Sequence, residues 1–346
     1  MNISPLLLTQ LLQFIGGLAI LIIIHESGHY LAARLVKVDV EEFGIGFPPR
    51  ILKLFDAGGT QFTLNWIPLG GFVRLKGEND PNVPGGLAAA NPWARLVVLF
   101  AGPVMNLALG VVLAIILFYN LGEPVLNKVQ VQSISPGSPA EQADLQVGDL
   151  LVKIDGQPVT GVDQLQKLIY ARLGTPTQIT YQRGNQTAEV TLTPRNPPPE
   201  DGAIGIIMGY PTQPTTWAKA IPTGIAASYD YVKSVLLLPV RIMQGQVSPQ
   251  EGRPVGYKGM FDIYQQIRAP LWFFMVISMS LGIFNLFPIP ALDGGRILFT
   301  LPEILFRRRI PPKYENAIHL VGFTMLLLLL IYINLQDFLN PVQLPK

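Results

Sequence analysis

Long apolar runs and polar stretches alternate along the chain. Four of the apolar runs are long enough to cross a membrane as helices, for which about 20 residues are needed. These runs extend over Leu6 to Leu35, Leu96 to Gly122, Ala269 to Leu292 and Ala317 to Gln336. The pattern therefore predicts a multi-pass α-helical membrane protein with about four transmembrane helices.

The long polar stretch between the second and third spans has a different pattern. Residues 125–196 alternate short strand-like runs with turns around one helical segment, which predicts a small α+β module, closed by the proline-rich NPPPEDG. Residues 197–264 are a linker with one helical segment, whose apolar face is interrupted by Asp230, Lys233 and Arg241. We expect this segment to be either an amphipathic helix on the outer membrane surface or a packed helix of the external domain.

The loop between the first two spans contains a segment with the alternation typical of strands. The segment is TQFTLNWIPLGGFVRLKGE, and it has a break at Gly70 and Gly71. It predicts a β-hairpin or a membrane-entering β-loop.

The distribution of lysine and arginine predicts the orientation, because basic loops remain in the cytosol. Two loops are basic, the one between spans one and two and the one between spans three and four. Their basic residues are Arg34, Lys37, Arg50, Lys53, Arg74, Lys76 and Arg95, and Arg296, Arg307, Arg308, Arg309 and Lys313. The tail holds only Lys346, so both termini and residues 125–264 are predicted to lie outside. The transmembrane core is then formed by an N-terminal half, residues 1–124, and a C-terminal half, residues 265–346.

Composition narrows the chemistry. Charged residues make up 14% of the chain, against roughly 25% in soluble domains, which fits immersion in a membrane. The net charge is only +2, and the chain has no basic stripe with aromatic residues interleaved, which argues against nucleic acid as a partner. The chain has no cysteine, so disulfides, thiolate catalysis and cysteine-ligated zinc are excluded, and any transition metal must bind His, Asp or Glu.

The first span carries a metal-binding pattern, His25-Glu26-Ser27-Gly28-His29, which is H-E-x-x-H. On a helix the two histidines lie about 6 Å apart along the axis on one face, so both imidazoles can reach one zinc ion. Glu26 falls beside them, where its carboxylate can take a proton from water. Gly28 leaves room for a close neighbouring backbone or a substrate. A polar stripe facing other helices is the alternative, but His and Glu inside a membrane are costly unless they are paired or bind a metal.

A catalytic zinc usually has three protein ligands and one open position. The third histidine, His319, stands alone in the fourth span, and we expect it to be a packed or interfacial residue. Asp293 is the better candidate because Pro288 and Pro290 break the third span just before it. A broken helix in a membrane is tolerated mainly where protein or a cavity receives its free backbone groups. A helix cap and turn at the membrane edge is the alternative for Asp293.

HESGH in the first span, together with N-x-x-P-x-x-x-L-D-G-G in the third, resembles the site-2 protease family of intramembrane zinc metalloproteases, and in particular the bacterial group with an inserted PDZ domain. The resemblance covers nearly the whole chain. It implies Zn²⁺ bound by His25, His29 and Asp293, with Glu26 as catalytic base. SISPGSPAEQADLQVGDLLVKIDGQPV resembles the PDZ signature of bacterial proteases, and residues 125–196 have room for one such domain where the group often has two. A PDZ-like module without a peptide ligand is the alternative to one that binds peptide ends.

The resemblance also implies where a substrate binds. Segments of the family similar to the one around Gly70 and Gly71 bind substrate as an extended strand on the cytosolic side. EFGIGFPPRIL resembles another membrane-associated strand, and an ordinary glycine-proline turn is its alternative. Asn285 before the proline break and Asn106 in AGPVMN are candidates to hold the substrate backbone or the oxyanion, and helix–helix hydrogen bonds are the alternative.

The predicted function is that of a zinc endopeptidase of the cell (inner) membrane, which cleaves transmembrane segments with zinc-activated water in regulated intramembrane proteolysis. The partners implied by the resemblance are the lipid bilayer, single-span membrane proteins already trimmed by another protease, and a peptide ligand of the PDZ domain. The first alternative is a membrane-anchored PDZ binding or scaffold protein with an inactive metal site. The second is a membrane peptidase acting on soluble or periplasmic peptides. The intact metal-binding set argues against the first, and the cytosolic bias of the motif argues against the second.

Overall fold

A computed structural model of the chain describes residues 4–199, 201–246, 253–267 and 269–342. Its helices are α1 (Pro5–Leu35), α2 (Pro92–Leu121), α3 (Pro139–Gln142), α4 (Val162–Tyr170), α5 (Trp217–Met243), α6 (Tyr257–Gln266), α7 (Pro270–Asn285), α8 (Asp293–Phe306) and α9 (Pro312–Leu339). Its strands are β1 (Val40–Ala57), β2 (Thr60–Leu75), β3 (Glu123–Pro124), β4 (Val129–Ile134), β5 (Leu150–Ile154), β6 (Gln157–Pro158), β7 (Thr177–Arg183), β8 (Gln186–Leu192), β9 (Ile206–Gly209) and β10 (Thr212–Gln213). Two compact units result, Met1–Leu117 with Ile221–Lys346, and Phe118–Ala220.

Within the described residues, three helices are long and apolar enough to cross a membrane, namely α1, α2 and α9. The predicted third span, Ala269 to Leu292, is not one continuous helix. It ends as the 16-residue α7 at Asn285, and the chain resumes as α8 at Asp293. The two prolines in the intervening turn lack an N–H, so neither can continue the ladder of helical hydrogen bonds. Lys346, which entered the predicted orientation, lies outside the described residues.

Small residues bring the helices of the larger unit into close contact. A Cβ atom on Gly28 of α1 would lie 2.4 Å from the carbonyl oxygen of Ala101 on α2, so a side chain there is excluded. Likewise, a Cβ atom on Gly282 of α7 would lie 2.9 Å from the carbonyl oxygen of Pro103. Close backbone approach through glycine is the usual way that apolar helices pack in lipid. As a result α2 lies against both α1 and α7.

The loop after α1 forms a sheet from β1 and β2. Residues 42–45 of β1 pair with residues 71–74 of β2 on one side and with residues 61–64 on the other, while residues 50–57 pair with residues 60–65. Two long strands thereby build a sheet four segments wide. The chain reverses between β1 and β2 at Gly58 and Gly59, so the break expected at Gly70 and Gly71 is instead a position within β2.

One buried carboxylate ties these four segments together. Glu42 is 4% exposed, and its Oε1 accepts hydrogen bonds from Thr63 Oγ1 and Arg50 Nη2, each 2.8 Å away. Its Oε2 lies 2.9 Å from Arg74 Nη1. Each of the three partners belongs to a different segment of the sheet. The carboxylate therefore fixes the register of the whole loop, because a buried charge is tolerated only where its partners surround it.

The second unit contains a six-stranded sheet with the strand order β8-β7-β5-β4-β9, in which β6 pairs with β5. Its core contains Leu165 and Ile169 of the amphipathic α4. The strand β9 belongs to this sheet, so the compact unit extends past the boundary predicted at residue 196. The proline-rich stretch thus lies inside the unit. The strand β9 has only four residues and follows the proline-rich stretch, so its sequence pattern is too short to be recognised.

Candidate metal centre

Two histidines and one aspartate meet in the larger unit. His25 and His29 are one turn apart on α1, and their Nε2 atoms are 3.2 Å apart. The Oδ2 atom of Asp293, the first residue of α8, lies 3.2 Å from Nε2 of His25 and 3.3 Å from Nε2 of His29. The three potential ligand atoms therefore form a nearly equilateral triangle.

The triangle has the dimensions of a zinc site. Zinc in proteins is tetrahedral with ligands roughly 2.0–2.1 Å from the metal, and a tetrahedron of that radius has edges of about 3.3–3.4 Å. The Oδ2 atom of Asp293 is buried and makes no hydrogen bond to the described residues. A buried carboxylate oxygen without a donor is costly, so these side chains fit a cation placed against all three atoms.

The ring of His29 is fixed by the backbone of α2. Its Nδ1 lies 2.8 Å from the carbonyl oxygen of Val98, and a carbonyl only accepts, so Nδ1 carries the proton. Nε2 is then left with a free lone pair facing the other two atoms. A metal-binding histidine is usually oriented in this way by a hydrogen bond from its other nitrogen.

His25 has a corresponding partner in Asn106, which is 1% exposed. The side-chain amide of Asn106 lies 3.4 Å from Nδ1 of His25, and the Asn106 Oδ1 atom is buried without a hydrogen-bond partner among the described residues. Turning the amide so that Oδ1 faces His25 satisfies that oxygen and places the proton on Nδ1. His25 then directs the lone pair of Nε2 toward Oδ2 of Asp293, as His29 does. Asn106 is itself held from α7, because Ser278 Oγ donates to its backbone carbonyl at 2.8 Å.

Glycine on α2 makes room for the metal-facing edge of His29. A Cβ atom on Gly102 would lie 2.3 Å from Nε2 of His29. The residues Gly102, Asn106 and Gly110 follow one another at intervals of four on α2, which places them on one face of the helix. Gly102 is not among the residues predicted from the sequence, although this spacing of small and polar residues in an apolar helix was the available signal.

Glu26 lies beside Gly71 of the sheet, on the same helix as the two histidines. A Cβ atom on Gly71 of β2 would lie 3.2 Å from Cγ of Glu26 and 2.9 Å from Cγ2 of Ile22. The carboxylate of Glu26 also interacts with the backbone of Val73. The missing side chain at Gly71 thus allows β2 to run directly alongside the carboxylate.

These residues share one cavity of about 710 Å³. The predicted residues that line it are His25, Glu26, His29, Gly70, Gly71, Asn106, Asn285 and Asp293. Asn285 enters the wall as the last residue of α7, immediately before the turn that leads to Asp293. Gly70 packs beneath Phe47, because a Cβ atom on Gly70 would lie 2.0 Å from that ring. The described cavity therefore brings together every site residue predicted from the sequence.

His319 lies outside the metal-binding triangle, in agreement with its expected role as a packed residue. Its Nδ1 accepts a hydrogen bond from the backbone N–H of Ala291, 2.8 Å away. Its ring also contacts Phe299 of α8, with centroids 5.4 Å apart. The residue thus packs against the turn that leads to Asp293.

The model of peptidase family M50 matches residues 13–329, and the chain belongs to this family. A protein of Clostridium perfringens named as a zinc metalloprotease is 32% identical over 327 residues, which cover 93% of this chain and 96% of the relative. The zinc metalloprotease RasP of Oceanobacillus iheyensis is 27% identical over 427 residues, which cover 95% and 99%. Among solved structures, the PDZ domain of an SdrC-like protein of Listeria innocua is 27% identical over 25% of this chain and 93% of its own, with a TM-score of 0.21.

The chain is therefore an integral membrane protein and an intramembrane zinc protease. Its cofactor is Zn²⁺, and its substrates are membrane proteins. The alternative of a scaffold with an inactive metal site is not favoured.

Proposed function

We propose that His25, His29 and Asp293 hold the catalytic zinc and that Glu26 is the general base of peptide hydrolysis. The observation that carries this assignment is the triangle of ligand atoms with edges of 3.2–3.3 Å. The surroundings of the triangle support the assignment. Each imidazole has a partner at Nδ1, which leaves both Nε2 atoms directed toward Oδ2 of Asp293. Three protein ligands leave the fourth position for water or substrate, as catalytic zinc requires.

Each of these residues would have a distinct role in peptide hydrolysis. Zinc, when bound, supplies a Lewis acid that polarises the scissile carbonyl and acidifies water. Glu26 takes a proton from the attacking water on its carboxylate and later gives it to the leaving amine. Asp293 balances part of the positive charge, and the carbonyl of Val98 together with Asn106 keeps the imidazoles in the ligand tautomer. Because Asn106 faces His25, we assign it this orienting role in preference to the oxyanion role.

The sheet of β1 and β2 supplies the surface on which a substrate becomes extended. A transmembrane substrate helix hides its carbonyls in its own hydrogen bonds, so it must be offered other partners. Among the described residues, 71–75 pair only with β1, which leaves their second edge without a strand partner beside Glu26. Addition of the substrate as a strand at this edge would bring its backbone next to the base. Asn285, which lines the same cavity, would hold the substrate backbone or the oxyanion.

We assign the metal centre to the cytosolic side of the inner membrane, with α7 and α8 together serving as the broken third of four spans. Basic residues around the sheet and in the connection from α8 to α9 support this orientation. Apolar residues exposed on the sheet support its insertion into lipid. They include Ile51, Leu52, Leu54, Phe55, Trp66 and Ile67.

The second unit is proposed to be a single PDZ domain on the outer side. Its strand β9 pairs with β4 on one side only among the described residues, so its other edge is free for an added peptide strand. Such a domain would select single-span substrates that another protease has already trimmed. The test compares cleavage of one substrate with a long and a short external domain, by the wild type and by Ile207→Asp on β9. A role for this edge predicts that the variant loses the preference or the activity, whereas identical rates for all four combinations would contradict it.

The decisive comparison for the active site uses three variants in detergent or vesicles. Glu26→Gln is expected to bind one zinc ion per chain and to cleave a model transmembrane substrate roughly a hundredfold to ten-thousandfold more slowly, the size of a general acid–base contribution. His25→Ala is expected to lose both zinc and cleavage. Glu41→Gln, which removes an exposed carboxylate of β1, is the control and keeps both. Cleavage by Glu26→Gln at the wild-type rate would eliminate Glu26 as the base.

A further inference from the structure

The last helix makes an unusual contact with the turn that carries Asp293. Most of α9 is exposed, and its buried residues are Gly322 and Asp337. Gly322 lies against the turn, because a Cβ atom there would be 2.4 Å from Cβ of Pro290 and 2.9 Å from its carbonyl oxygen. One helical turn earlier, His319 accepts the hydrogen bond of Ala291. Gly322 and His319, on one face of α9, therefore both contact the short turn that contains Pro290 and Ala291.

The backbone of this turn has an unfavourable conformation at Ala291. Ala291 has a φ of 77°, in the left-handed region that residues with a Cβ atom rarely adopt. Such a residue persists where its surroundings over-determine its conformation. Its N–H points to Nδ1 of His319 at 2.8 Å, so the imidazole supplies the acceptor that the broken helix lacks. Asp293 follows only two residues later.

We infer that His319 is a positioning residue for the zinc site, which acts through the Ala291 turn to set where the Asp293 carboxylate meets the two imidazoles. The inference rests on the proposed zinc ligands. Because an N–H only donates, Nδ1 of His319 must accept, and the residue works as a neutral imidazole with its proton on Nε2. Gly322 has the complementary role of letting α9 approach the turn closely enough for that bond to form. The third histidine of the chain thus serves the metal without binding it.

Zinc affinity, measured by competition with a chelator on the purified full-length protein, tests the inference without relying on activity. His319→Phe removes the acceptor while keeping a ring, and it is expected to raise the zinc Kd at least tenfold, the scale of losing an outer partner of a metal ligand. His319→Asn keeps an acceptor near the position of Nδ1 and is expected to stay within threefold of wild type. Gly322→Ala pushes α9 from Pro290 and is expected to weaken zinc as His319→Phe does. Thr324→Val on the exposed face of α9 is the control and is expected to bind zinc as the wild type does.

Two further measurements separate the possible failures. The melting temperature of the zinc-free protein checks that His319→Phe is folded at the temperature of the zinc titration; zinc binding weakened at least tenfold in the folded variant supports the inference. Asp293→Ala is expected to lose zinc outright; if it binds zinc as the wild type does, the proposed ligand set itself is wrong. If Asp293→Ala loses zinc while His319→Phe stays within threefold of wild type, only the positioning role is refuted. Equal weakening by His319→Phe and His319→Asn would also refute it.

Discussion

Gly71 of β2 and Glu26 of α1 are in such close contact that a single methyl group at Gly71 would lie 3.2 Å from Cγ of Glu26. The same methyl group would lie 2.9 Å from Cγ2 of Ile22. Because Gly71 has no side chain, the edge of the sheet can lie directly against the proposed base. This contact links the surface that would extend the substrate to the group that would activate water.

Gly71→Ala is predicted to slow cleavage of a transmembrane substrate by roughly tenfold to a hundredfold, because displacement of reacting groups by less than 1 Å has effects of this size. Zinc binding should be unchanged, since Gly71 contacts neither imidazole. The rate of a single turnover and the zinc content of the same sample are the measurements. Gly16→Ala is the control, because a Cβ atom on Gly16 of α1 would meet nothing within 4 Å. Undiminished cleavage by Gly71→Ala would show that β2 does not need to lie against Glu26.

Gly102→Ala is predicted to weaken zinc binding by roughly tenfold or more, because the new methyl group would lie 2.3 Å from Nε2 of His29 and must push the ring aside. The Nδ1 hydrogen bond to Val98 would be strained by the same movement. Chelator competition measures the effect, and circular dichroism of the detergent-solubilised protein checks that the helices remain. A variant that keeps the wild-type zinc affinity would mean that His29 binds the metal from another position.

Much of the proposed zinc site was predictable from the sequence, since H-E-x-x-H places two candidate ligands and a candidate base on one helical face. Asp293 was the candidate third ligand because the two prolines before it mark a break in an apolar run. What could not be predicted depends on contacts between residues distant in sequence. The partners of the ligands, Val98 and Asn106, lie about 70–80 residues away on α2, and no local pattern reports such a hydrogen bond.

The sheet illustrates the same limit. Alternation indicated strands but not their register, and the pairing of residues 42–45 on both sides depends on long-range contacts around Glu42. A glycine pair often interrupts a strand, so the sequence predicts a break at Gly70 and Gly71. In the structure these glycines serve close packing against Phe47, Ile22 and Glu26. Glycine in a strand has either meaning, and only the neighbours decide between them.

Glu42→Gln is predicted to loosen the sheet, because the neutral amide cannot balance Arg50 and Arg74 while it fills the place of a buried carboxylate. The loss of stability is on the order of 2–3 kcal/mol, below the usual cost of breaking a buried ion pair because both arginines are partly exposed. Limited proteolysis should cut residues 40–75 faster and substrate cleavage should fall, with zinc content unchanged. Asp56→Asn, an exposed carboxylate on the same sheet, is the control. Equal protease resistance of Glu42→Gln and wild type would contradict the role of Glu42 in fixing the register.

The second unit is predicted to lose stability in acid through Asp149. Burial by itself raises the pKa of Asp149, but hydrogen bonds from Arg183 and from the backbone N–H of Gln146, each 2.8 Å long, outweigh it and hold that pKa below its usual range. A carboxyl group with a lowered folded-state pKa contributes stability above its unfolded-state pKa of about 3.9, and that contribution is lost as the pH falls through the lower folded value. The protection factors of residues 129–192 against hydrogen exchange, which correct for the pH dependence of intrinsic exchange, should therefore fall below about pH 4 in the wild type. Asp149→Asn should exchange faster at neutral pH and show a weaker dependence on acid; an unchanged pH profile would contradict this assignment.

X-ray absorption at the zinc edge of the purified wild-type protein is the sharpest test of the proposed ligand set, because it reports the atoms that bind the metal. We expect one zinc ion with two imidazole nitrogens and one carboxylate oxygen at about 2.0–2.2 Å, together with a further light-atom ligand from solvent. This spectrum should be lost in Asp293→Ala. A protein that binds no zinc, or a zinc spectrum that Asp293→Ala leaves unchanged, would contradict the proposed ligand set.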